Sequence, residues 1–188
     1  MGIRHLLALP LVAAALFASA NAETVKPMSE RELLKALVGK WEGTCRTWFK
    51  PDVIEDESAV AGELVAAFDG HVIRHVYKSS MKGKPRHGEE LIAFNAMTKS
   101  FQSAWFDDFH TGNAIMFSQG GRTERGFAVL TEYDVGENQP KWAWRTEYEV
   151  IDNDHLTITA YNILPDGNQF TGTKTEYKAV ETVYRRVK

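Results

Sequence analysis

One cysteine, Cys45, stands in the 188 residues, so no internal disulfide can form. Basic charge is short as well. Lys and Arg number 22 against 25 acidic residues, a net charge of −3, which argues against a nucleic-acid backbone as partner. Beyond the N-terminus no apolar run approaches the ~20 residues that a membrane-spanning helix needs. Serine-nucleophile and zinc-protease patterns are missing. The glycine-rich Ser118-Gln119-Gly120-Gly121-Arg122 precedes no helix, so it lacks the donor geometry of a phosphate cradle and reads as a loop.

What is there begins as an address. Arg4 and His5 give a charged start, Leu6 to Phe17 an apolar run and Ala20-Asn21-Ala22 a cleavage site of small residues. We therefore expect residues 1–22 to be a secretory signal peptide and 23–188 a single domain, periplasmic or secreted. Losing the leader takes the chain from 188 to 166 residues and, with Arg4 gone, the charge from −3 to −4. That length suits one sizeable core.

Ser29 to Glu32 has capping-box spacing, Leu33, Leu34, Leu37 and Val38 form an apolar stripe, and Gly39 is placed to stop the helix. This predicts one short helix over about 30–38. Everything after Lys40 reads as strands separated by turn signals: 40–49, 58–68, 71–80, 88–95, 101–108, 113–119, 126–135, 141–151, 155–164 and 170–186. About ten strands in sequential hairpins make an all-β, antiparallel meander barrel.

The alternation in KWAWRTEYEV puts Trp142, Trp144, Thr146, Tyr148 and Val150 on one face. A tight loop at Asp152-Asn153-Asp154 then pairs Tyr148 with Ile158 and Trp144 with Asn162. An Asp69-Gly70 hairpin pairs Phe68 with His71, Leu64 with His75 and Gly62 with Tyr77, which points His71 and His75 inward. Trp48 falls outward if Trp41 is inward.

A helix closed by Gly39, Gly-x-Trp opening the first strand, and Arg185 or Arg186 on the last strand resemble the calycin superfamily, which includes lipocalins and nitrobindin. The resemblance implies that one of these arginines packs over Trp41. The strings LVGKWEGTCRTWF, FDGHVIRHVY, GEELIAFNAMTKSFQSAWFDDFHTG, LPDGNQF and VETVYRR look like a bacterial family of unknown function with calycin-like barrels. That resemblance implies a fold and no established reaction.

Three candidate sites follow. The barrel interior, with Trp41, Val60, Leu64, Phe68, Ile73, Tyr77, Trp142, Trp144 and Tyr148 as walls and His71, His75 and Asn162 as polar groups, suits a small apolar or amphipathic ligand. A fully packed core competes with it. His71 or His75 could serve as an axial haem ligand, but four residues along a strand span about 13 Å, too far to share an ion. Finally, a turn over Ala96 to Ser100 would set Glu89 beside Asp107 and His87 beside Phe109 and His110. With Asp108, these could form an acid-base or metal-assisted cluster, against a solvated hairpin end. We expect a ligand-binding barrel without catalysis and without a resident cofactor.

Overall fold

The computed structural model describes residues 28–165 and 176–188; the expected leader and most of LPDGNQF lie outside the described residues. The chain runs α1 (Glu30–Leu37), β1 (Gly39–Lys50), β2 (Val53–Ala67), a 3-10 turn (Phe68–Gly70), β3 (Val72–Met81), β4 (Lys84–Asn95), β5 (Ser100–Asp107), β6 (Met116–Arg122), β7 (Gly126–Tyr133), β8 (Trp142–Val150), β9 (His155–Ile163) and β10 (Glu176–Arg186). Each strand pairs antiparallel with the next, and β10 pairs back onto β1, closing a ten-stranded barrel with no free edge.

The capping box forms: Ser29 N–H donates to Glu32 Oε2 at 2.7 Å, and Glu32 N–H to Ser29 Oγ at 3.3 Å. The helix stops one residue early, at Leu37, with extended Val38 as its cap. Gly39, at φ 154°, opens β1, and a Cβ there would lie 2.2 Å from Arg186 Nη1. Leu33, Leu34 and Leu37 are buried over one barrel end.

That closed end is fastened by Arg186. Its guanidinium lies 4.1 Å from the Trp41 ring. It donates to the carbonyls of Val38 (2.5 Å), Ala36 (2.9 Å) and Asn153 (2.6 Å). Trp41 Nε1 donates to Leu37 O at 2.9 Å. Of the two arginines that the resemblance left open, Arg186 is the one over Trp41. Inside, Phe101, Phe127 and Tyr148 stack at centroid spacings of 4.1 and 4.4 Å and fill this end.

The β8–β9 and β2–β3 registers agree with the sequence pattern, including Tyr148 opposite Ile158 and Leu64 opposite His75. Four expectations need correction. The β2–β3 ladder ends at Ala67 and Val72, and the four residues between turn outward, so Phe68 is 79% exposed and His71 is exposed too. Trp48 is buried, because a register shift after Thr47 turns it inward. Gly120 and Gly121 belong to β6; at Gly120 a Cβ would lie 2.0 Å from Ala128 O.

The fourth correction is a slip. Asn95 pairs with Ser100, and its side chain accepts the N–H groups of Met97 and Thr98, so the turn holds four residues instead of five. Gly88 therefore faces Asp107, and Glu89 faces Phe106. A one-residue slip exchanges the two faces of a strand.

Arg186 satisfies three carbonyls as a charged donor, each such bond contributing about 1.5–3 kcal/mol, besides its contact with Trp41. Arg186→Ala is expected to lower stability by about 3 kcal/mol or more in urea unfolding. Arg185→Ala, at an exposed position, is expected to cost less than about 0.5 kcal/mol.

Candidate functional site

Above the packed end the inward residues become partly polar. A cavity of about 60 Å³ opens there, against the roughly 10–15 Å³ that one water requires. Val60, Trp105, Trp144, Ile158, Ala160 and Val180 give its apolar wall; Cys45, His75, Tyr77, Arg86, Glu90, Thr146, Thr182 and Tyr184 line the remainder.

β4 supplies the charge. Its inward positions are Arg86, Gly88 and Glu90, all buried, while Leu91 faces out. Gly88 leaves room for the Tyr77 ring, which a Cβ would meet at 2.2 Å. Arg86 Nε lies 3.5 Å from Asp107 Oδ2, with both side chains almost wholly buried. Tyr77 receives a hydrogen bond from Trp105 Nε1 at 3.0 Å and donates to Asp107 Oδ2 at 3.4 Å. Below it, His75 Nε2 lies 3.2 Å from the Tyr184 hydroxyl and Nδ1 lies 3.7 Å from Glu90 Oε2. Tyr148 donates to the other Glu90 oxygen.

Asp107 also shapes the barrel mouth. Its Oδ1 accepts the backbone N–H groups of Phe109, His110 and Thr111. This turns the segment after β5 across the opening. Phe109 stacks on Phe49 at 6.3 Å, and the His110 ring sits 5.6 Å from both Trp105 and Trp144. An ionised carboxylate only accepts, so the His110 Nδ1 at 2.8 Å from Oδ2 carries the proton. Burial would raise the Asp107 pKa, but the bond and charge of His110, the Thr111 N–H and Arg86 override it and lower the pKa from 3.8 to about 2. Burial lowers the His110 pKa below 6.5, with the Arg86 charge adding to it and the Asp107 bond only partly opposing it. Burial raises the Tyr77 and Tyr184 pKa values, so both remain phenols.

Of the residues singled out in the sequence, His75, Tyr77, Trp144 and Val60 line the cavity. Trp41, Leu64, Ile73 and Tyr148 are buried but outside its lining. Asn162 is tied to Tyr133 (2.7 Å) and Tyr177 (3.2 Å), and Trp142 lies beside Tyr133. Phe68 and His71 are outside the barrel. His75 Nε2 is held by the Tyr184 hydroxyl, Nδ1 lies 3.7 Å from Glu90 Oε2, and His71 is exposed outside the barrel. The acidic cluster divides. Asp107 and His110 come together, but Glu89 faces out in a bidentate pair with Arg74 (2.5 and 2.8 Å), and Asp108 pairs with exposed His87 at 3.0 Å.

Sequence reasoning did not single out Arg86, Glu90, Trp105 or Tyr184. Tyr184 was within reach, since it stands two residues before Arg186 and shares its strand face. The other three needed the β4–β5 register.

Asp107 and His110 both bind protons more weakly folded than unfolded, so each adds stability that acid removes. For His110 the loss begins as pH falls through 6.5. For Asp107 it falls between pH 3.8 and about 2 and amounts to about 2 kcal/mol. Urea midpoints measured against pH should decline through both ranges. Asp107→Asn should flatten the lower one and His110→Gln the upper one.

No curated protein matches the chain. Among solved structures it is similar to the S-type phycobiliprotein lyase CPES from Guillardia theta, at 15% identity and a TM-score of 0.50, over 86% of this chain and 94% of that one. That likeness concerns the fold. The family described as "Protein of unknown function (DUF1579)" matches residues 26–186, nearly the whole described barrel and its helix, and the chain belongs to that family.

Proposed function

We propose that this protein is a non-catalytic, exported carrier or sensor that holds a small amphipathic molecule inside its barrel. The observation that carries this reading is the cavity of about 60 Å³, walled by Trp105 and Trp144 on one side and polar groups on the other. A few placed polar groups in an apolar concave site fit recognition of a small molecule. The Asp107–His110 pair has a structural occupation, since every Asp107 bond described above holds the mouth segment or Tyr77.

Export is supported by the leader pattern and by a family match that starts at residue 26, just after the expected cleavage. The volume limits the occupant as the barrel stands to a small molecule or a head group.

Purified under native conditions, the wild-type protein is expected to retain a small molecule visible in native mass spectrometry. Ala160→Phe, which fills the cavity at a cost of about 1–3 kcal/mol, should lose it while staying folded. A wild type with no retained molecule, and no change in tryptophan fluorescence on adding octanoate or octanol, would remove this reading.

A further inference from the structure

We propose that the cavity recognises an oxyanion, a carboxylate or an equivalent group at the polar end of its ligand, through the guanidinium of Arg86. This rests on the ligand-binding reading above and names the chemistry that the ligand must carry.

Arg86 is only 3% exposed, yet it is poorly satisfied. Its Nε has no hydrogen-bond acceptor among the described residues. Nη1 reaches the soft acceptor Cys45 Sγ at 4.0 Å, the Tyr77 side chain is a further hydrogen-bond partner of the guanidinium, and the Tyr77 and Phe109 rings lie 5.7 and 5.9 Å from Cζ. A guanidinium carries five N–H donors, and leaving buried donors unpaired is costly.

Asp107 balances this charge without satisfying those donors. Its oxygens already accept three backbone N–H groups, His110 Nδ1 and the Tyr77 hydroxyl, and its approach to Nε stops at 3.5 Å. Arg86 is thus neutralised at a distance but open at Nε, one of the donors by which a guanidinium meets carboxylates and phosphates.

The surrounding groups fit the same occupant. Glu90 would repel an anion, but its oxygens are turned to Tyr148 and His75. The uncharged donors Thr146, Thr182 and Tyr184 share the lining, and Trp105, Trp144 and Ile158 provide apolar contact for the attached carbon chain.

Calorimetric titration with octanoate and octanol, identical in chain and different in head group, tests this. Wild type is expected to bind octanoate at least about tenfold more tightly, the range of one charge-assisted hydrogen bond. Arg86→Gln should abolish the difference, while Arg74→Gln, an equal charge change on the outer face, should keep it. Arg86→Lys should restore it in part, as a charge without the fork. Equal affinity of wild type for the two probes overturns the inference and leaves the ligand-binding reading standing. That comparison needs no variant, so it decides even if Arg86→Gln fails to fold. Preference for the acid retained in Arg86→Gln or in Ala160→Phe also overturns it. Binding of neither probe overturns it, while retention of a molecule in native mass spectrometry decides the parent reading separately.

Discussion

The grip of Arg186 on Trp41 and on three carbonyls is the interaction from which the remaining architecture follows. Arg186 is the last residue of β10 and Trp41 is near the start of β1, so their contact joins the chain's two ends where the barrel closes. The carbonyls of Ala36 and Val38 belong to the helix end, where four C=O groups lack partners within the helix. The Asn153 carbonyl lies in the β8–β9 turn. One cation thereby fixes the helix, the first strand and a distant hairpin together. With that end sealed by Leu33, Leu34, Leu37 and the Phe101–Phe127–Tyr148 stack, any interior space must lie towards the mouth.

The barrel's middle spends its inward positions differently. Taking charges out of water is costly, and a buried pair is weak evidence for stability because well-packed apolar residues often serve as well. The buried pair of Arg86 with Asp107 therefore asks for a reason beyond folding. Asp107 supplies part of it, since its carboxylate accepts the turn's backbone N–H groups and holds Phe109 and His110 across the opening. Arg86 is left with a charge partner but no good acceptor at Nε. Local rules of polar satisfaction are most often broken at functional positions, and here the break faces a cavity.

How far the sequence revealed this structure depended on whether apolar residues mark the inward face. In β8 and β9 they do, and register, turn and burial are all readable from KWAWRTEYEV and the Asp-Asn-Asp loop. The capped helix and the Gly-x-Trp entrance were equally plain. β4 defeats the same reasoning, because its inner positions carry Arg86, Gly88 and Glu90 while Leu91 faces solvent. The pattern therefore begins the strand four residues late. The β4–β5 register then hung on one turn, and Asn95, by capping it with its own side chain, shortened it by a residue. That single step separates Glu89 from Asp107: Gly88 stands opposite Asp107, and Glu89 faces out beside Phe106. Trp48 failed for a related reason, since a bulge interrupts the alternation on which its placement relied.

The same features that hide the site from pattern reading couple its parts. Asp107 is at once the charge partner of Arg86, an acceptor for Tyr77 and the cap of the mouth segment, so displacement of Phe109 and His110 would withdraw three backbone donors from it. An Asp107 relieved of those donors would have free lone pairs for Arg86, and Nε would no longer be left without an acceptor. With the segment seated, Asp107 is saturated and Arg86 is available. A covered mouth and a competent interior cation are therefore two consequences of one carboxylate's hydrogen-bond count.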